Sequence, residues 1–125
     1  MSTELTLTIP GRPFTTNEQR RSHWTVVRRA KNAAHVKTYV ALDGRRGPSK
    51  GLRFPVAVTV QDNCATAHLR DVSACSPTVK GVLDALTALR IWPDDSPEYV
   101  ASITYLPPVK TGVNELVITI KSAEP

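Results

Sequence analysis

Apolar and polar positions alternate through the segment Glu4–Pro10, where Leu5, Leu7 and Ile9 are separated by Thr6 and Thr8. A period of two puts the three apolar side chains on one face, so the segment reads as a strand with a single buried side, closed by Pro10 and Gly11. Thr16 or Asn17 is placed to cap the next element. Residues 18–42 contain neither proline nor glycine and read as one long helix that frays near His23. Its expected apolar stripe is built from Trp24, Val27, Ala30, Ala34, Val40 and Ala41. Gly44, Gly47, Pro48 and Gly51 then break the helical pattern.

A second alternating run at residues 54–62 sets Val56, Val58 and Val60 on one face of a strand. A loop over residues 63–76 leads to a second helix starting near Pro77, with Ser76 as the expected N-cap and Pro77 at the first helical position. Val79, Val82, Leu83, Leu86 and Leu89 repeat at helical spacing, and Pro93 marks the limit of that helix. Residues 98–106 and 113–120 read as two further strands. The predicted order is β-α-β-α-β-β: a single compact α+β domain over residues 1–125, two helices on a small mixed sheet, and a flexible tail at 122–125.

The length of 125 residues suits one domain, and 41% apolar content is compatible with a folded core. No apolar stretch is long enough to cross a bilayer, and the opening MSTELTLTIPG has neither a basic leader nor a long apolar run, which sets the expectation of a cytoplasmic protein. Cys64 and Cys75 give no disulfide framework, and His23, His35 and His68 are too scattered to suggest zinc. Charge changes the picture more. Through Arg53 there are eleven Lys or Arg against three acids, whereas five face eight from Phe54 onward. A basic half suited to a polyanion, joined to an acidic half suited to cations, fits a metal-dependent nucleic-acid enzyme. Arg20, Arg21, Arg28, Arg29, Arg45 and Arg46 are the candidate backbone contacts.

Chemistry has one place to concentrate. Asp71, next to Arg70, precedes the second helix; Lys80 and Asp84 lie four apart on it; Asp94 and Asp95 follow it between Pro93 and Pro97. If the fold joins Asp71 to the later pair, the carboxylates make a hard-oxygen site for Mg²⁺, with Lys80 stabilising charge on a phosphate and Arg70 orienting the backbone. Each residue also has a structural alternative: turn capping by Asp71, a helical ion pair between Lys80 and Asp84, and backbone hydrogen bonds from Asp94 and Asp95.

Taken together, Arg70-Asp71, the run Pro77-Thr78-Val79-Lys80-Gly81-Val82-Leu83-Asp84-Ala85-Leu86 and the Pro93-Asp94-Asp95 turn resemble the RusA-like crossover-junction endodeoxyribonucleases, in particular their bacteriophage branch. The resemblance is close over residues 70–100 and looser elsewhere. It implies a homodimer that binds four-way (Holliday) or other branched double-stranded DNA and cuts it with Mg²⁺, for which Mn²⁺ can substitute, without a small organic cofactor or a membrane. Carried over residue by residue, it implies Asp71, Lys80 and Asp95 as catalytic residues, and Asp71, Asp94 and Asp95 as metal ligands. Asp84 matches the acid of the Asp-Ala-Leu segment, in support of packing or of Lys80. The chain departs from the family pattern in the first acidic loop, where Ser73 and Ala74 stand in place of an Asp and an Asn. That departure motivates the alternative of a junction- or duplex-binding protein whose nuclease site is weakened or inactive.

Overall fold

The computed structural model describes residues 4–45, 47 and 51–123. The elements are β1 (Glu4–Pro10), α1 (Thr16–Arg21), α2 (Trp24–Ala41), β2 (Val56–Cys64), α3 (Ser76–Ala88), β3 (Val100–Tyr105), β4 (Val109–Lys110) and β5 (Glu115–Ser122). They form one α+β domain whose helices cover one face of a mixed sheet. The sheet order is β1-β5-β2-β3, with the short β4 also paired to β2. β5 lies antiparallel between β1 and β2, and β2 runs parallel to β3 after the crossover through α3.

Strand alternation is realised as expected. Leu5, Leu7 and Ile9 of β1 and Val56, Val58 and Val60 of β2 join one buried cluster; in β5, whose pattern from Val113 reads as broken alternation, Leu116, Ile118 and Ile120 join it while Val113 stays exposed. Val79, Val82, Leu83 and Leu86 of α3 complete it, together with Ile91 and Trp92. On the opposite sheet face Thr6 and Thr8 are exposed and Thr59 and Thr119 half-buried.

The expected element order is corrected in two respects. The single long helix is two, because Ser22 and His23 are both extended (ψ 146° and 150°). Each new helix end is capped. Thr15, rather than Thr16 or Asn17, caps α1: its hydroxyl accepts from the Glu18 N–H and the Glu18 carboxylate accepts from the Thr15 N–H. His23 caps α2, its Nδ1 accepting from the Thr25 N–H. The second correction is β4, a two-residue strand that carries too little pattern to be read from the chain. At the other end Ser122 still belongs to β5, and the Ala123 N–H donates to Pro55 O; Glu124 and Pro125 lie outside the described residues.

The apolar stripe expected of α2 is only half buried. Ala34 is buried and Val27, Ala30 and Ala41 are half-buried, but Trp24 is 61% and Val40 69% exposed. The reason is the neighbour, not the helix. α2 meets α3 at Gly81, where the absence of a side chain lets the helices approach: a Cβ there would stand 2.9 Å from the Ala34 Cβ. The close approach buries Ala34, while Trp24 and Val40 at the edges of the stripe stay exposed.

α3 is seated more firmly. Its first turn begins at Ser76 with Cys75 as N-cap, one residue ahead of the expected boundary and without a capping side chain. Thr78 secures it instead, its hydroxyl accepting from the Phe14 N–H at 2.7 Å and donating to Phe14 O at 3.2 Å. At the far end the Ile91 N–H donates to Leu86 O and the Arg90 N–H to Thr87 O, with Arg90 at φ 65°. This is a Schellman ending with arginine in the place glycine usually takes. It stops the helix before Pro93 is reached.

Candidate functional site

The segment between β2 and α3 is fastened by a buried ion pair. Asp62, at the end of β2, is 4% exposed at its side chain, and Arg70 is 13% exposed. The Arg70 guanidinium donates to both Asp62 oxygens, at 2.7 and 3.0 Å, and also reaches Asn63 O and Asn114 Oδ1. The hydrogen bonds from Asp62 hold the guanidinium above its already high pKa, against the opposing effect of burial. Arg70, expected to orient a DNA backbone, thus has its donors turned into the protein, where they anchor the loop that carries Asp71. Beside it, Cys75 is buried, and burial followed by the nearby Asp62 charge pushes its thiol up to about 12. That thiol is inert at neutral pH.

Beyond this anchor the loop turns outward. Asp71 is exposed, and its carbonyl accepts from the Ala74 N–H. Ser73 adopts φ 67°, in the left-handed region, and the Ala74 carbonyl accepts from the Thr16 N–H at the start of α1. Past the other end of α3, Trp92 is fully buried, its indole N–H donating to the Thr87 hydroxyl at 2.7 Å. Pro93, Asp94 and Asp95 then emerge on the surface.

A groove of about 550 Å³ runs along α3, between α2 and the edge strand β3. Phe14, Val27, Leu83, Val100, Ile103 and Tyr105 give it apolar walls; Lys31, Lys80, Asp84 and Asp95 give it charge. Asp84 sits between two cations, with Lys31 at 3.3 Å and Lys80 at 3.9 Å. Lys80 remains 75% exposed, so its ammonium is available to an anion entering the groove. The structure thus brings together three of the expected residues: Lys80, Asp84 and Asp95. Lys31 is an addition that the sequence reading did not single out. Its partner, Asp84, lies on another helix, and no local spacing announces a pair across two helices.

Asp71 and Asp94 do not line this groove. Among the described residues no three His, Cys, Asp or Glu side chains gather to hold a metal. In the chain, α3 separates the loop of Asp71 from the turn of Asp94 and Asp95. The donor set nevertheless suits one kind of metal binding. Mg²⁺ keeps several waters and is commonly held by one or two carboxylates together with substrate phosphates. Asp95 is one such carboxylate lining the groove.

The cationic residues form a separate surface. Arg20 and Arg21 occupy the last turn of α1, and Arg28 and Arg29 the second turn of α2. All four are exposed and, among the described residues, none is paired with a carboxylate. No acid occurs from Gln19 through Leu42. Arg45 is exposed too, its Nε donating to Leu42 O, while Arg46 lies outside the described residues. No described helix is long and apolar enough to cross a membrane. Compared with protein-family models and with the sequences of curated proteins, the chain matches neither.

Proposed function

We propose that the protein is a cytoplasmic, RusA-like endonuclease that binds four-way or other branched double-stranded DNA through the α1–α2 face and hydrolyses its phosphodiester bonds with Mg²⁺. The observation that carries this reading is the groove lined by Lys80 and Asp95 beside α2, whose charged residues are all basic. The arginines contact phosphates and so grip DNA with little regard to base sequence. Lys80 offers its exposed ammonium to the negative charge that grows on the phosphate oxygens. Asp84 holds Lys80 and Lys31 in position. Asp95, unpaired among the described residues, offers the groove's carboxylate toward a metal, with Asp94 beside it in the chain and Asp71 as the loop carboxylate. When bound, Mg²⁺ polarises the phosphate and lowers the pKa of a coordinated water. A homodimer presents two such grooves to one junction, the symmetry needed for paired nicks.

The test incubates the protein with labelled four-way junctions and with linear duplexes, with and without Mg²⁺ or Mn²⁺. Expected are symmetrically opposed nicks in junctions only, dependent on metal, and lost in Asp95→Asn while the gel shift persists. Equal cutting of linear duplex, or full nicking by Asp95→Asn, rejects the assignment. A second reading, a junction-binding protein that does not cut, is favoured by the absence of a three-ligand group among the described residues and by Ser73 and Ala74 in the acidic loop. Binding without nicks in either metal selects it.

A further inference from the structure

The two tryptophans of the chain have opposite environments. Trp92 is buried to 0% exposure with its N–H satisfied, whereas Trp24 is 61% exposed on the first residue of α2. Trp24 is not bare. The Arg28 guanidinium lies over its ring at 5.1 Å from the centroid, and the His23 ring sits 5.5 Å away, tilted by 35°. A cation over the indole and a capping residue behind it restrain the ring while leaving most of its surface to solvent. Arg20, Arg21 and Arg29 flank the cluster within five residues along the chain.

We propose that Trp24, with Arg28 and His23, is a stacking site for an unpaired nucleobase, and that Arg20, Arg21 and Arg29 hold the phosphates on either side of it. Chemistry selects this ligand in two steps. Along the chain from Gln19 to Leu42 every charged residue is basic, which calls for a polyanion rather than an apolar protein face of mixed charge. A planar ring held open among cations is how sequence-tolerant binders of single-stranded nucleic acid combine base stacking with backbone attraction. Intact duplex hides its base faces in the stack, so only unpaired nucleotides, as at a branch point, a flap or a free strand, can use the indole. The site rests on the reading that the α1–α2 face binds nucleic acid, and adds to it a preference for interrupted duplex that does not depend on cleavage.

Because Trp92 is shielded from ligands, a change in tryptophan emission on titration reports Trp24 over a constant Trp92 background. Titration with a short oligothymidylate quenches a large part of the emission, and titration with a blunt duplex of the same length quenches little. Trp24→Ala lowers affinity for the single strand by about five- to a hundredfold. The same variant changes blunt-duplex affinity less than about twofold, because backbone attraction is untouched. Trp24→Phe, which keeps a stacking ring, retains most of the single-strand affinity. An unchanged melting temperature for Trp24→Ala establishes that the fold is intact, as the exposure of the side chain requires. Absence of quenching by single strands, or equal loss of single-strand and duplex binding in Trp24→Ala, overturns the proposal. Failure of the nuclease reading has a different signature: junctions that are bound and quench Trp24 but are never nicked.

Discussion

α2 and α3 lie against each other yet are held by different physics. α3 has 13 residues, six of them buried, and both of its ends are tied to distant segments. α2 has 18 residues, of which only Ala34 and Thr38 are buried, and Val36 and Val40 stand 63% and 69% exposed. α3 is therefore a core element that also carries Lys80 and Asp84 to the groove. α2 packs on α3 and β1 and presents most of its surface outward. Function divides the same way. In the proposed function α3 carries Lys80 and Asp84 to the groove, and α2 carries Arg28, Arg29 and the exposed Trp24 outward.

The comparison is tested most severely at the ion pair in front of α3. Arg70→Ala leaves the Asp62 carboxylate buried without its partner, and equilibrium denaturation is expected to show a loss of about 3–5 kcal/mol. A loss under about 1 kcal/mol would show that the Asp71 loop is not fastened there. Next in size is the contrast between the helices themselves. Leu86→Ala on α3 is expected to cost about 2–5 kcal/mol, whereas Val36→Ala on α2 stays within about 0.5 kcal/mol of the parent. Similar costs for the two would erase the distinction.

Smaller effects sharpen the line where the helices meet. Gly81→Ala adds a methyl carbon 2.9 Å from the Ala34 Cβ, and the resulting overpacking costs about 1–3 kcal/mol. The gain in helix propensity, about 1 kcal/mol at most, only partly offsets it. Pairing Gly81→Ala with Ala34→Gly restores space at the crossing, so the double variant should be more stable than the sum of the single effects predicts, as a double-mutant cycle will measure.

The smallest effect concerns α1. Burial pushes the Glu18 carboxyl up, but hydrogen bonds from Arg12 and Thr15 more than offset this, and its pKa lies below the ordinary value. A depressed folded pKa means that Glu18 stabilises the fold above the unfolded value near pH 4.5, and that this contribution disappears as pH falls through the lower, folded pKa. Glu18→Gln should therefore lower the melting temperature slightly at neutral pH and converge with the parent in acid. A constant difference across the acid range would argue against the carboxylate as its source.

Much of the fold follows from patterns that stay within one element. Leu5, Leu7 and Ile9, then Val56, Val58 and Val60, then Leu116, Ile118 and Ile120 announce buried strand faces, because alternation acts through the backbone's own period of two. The apolar repeat from Val79 to Leu86 does the same for α3. Burial of Trp24 and Val40 was expected from the same kind of periodicity and does not occur, because a helix face is buried only where a neighbour covers it. The break after Arg21 depends on two extended residues, and His23 is an uncommon cap that gives little warning of it.

The candidate site divides along the same boundary. Residue order alone determined that a basic stretch without acids precedes an acidic one, and that Lys80 and Asp84 share a turn of helix, because charge and helical spacing are properties of the chain. Tertiary structure decided that Arg70 turns inward to Asp62, that Lys31 crosses from α2 to Asp84, and that Asp95 rather than Asp71 shares a groove with Lys80. Those outcomes depend on which elements become neighbours after folding, through contacts between residues that no local period relates.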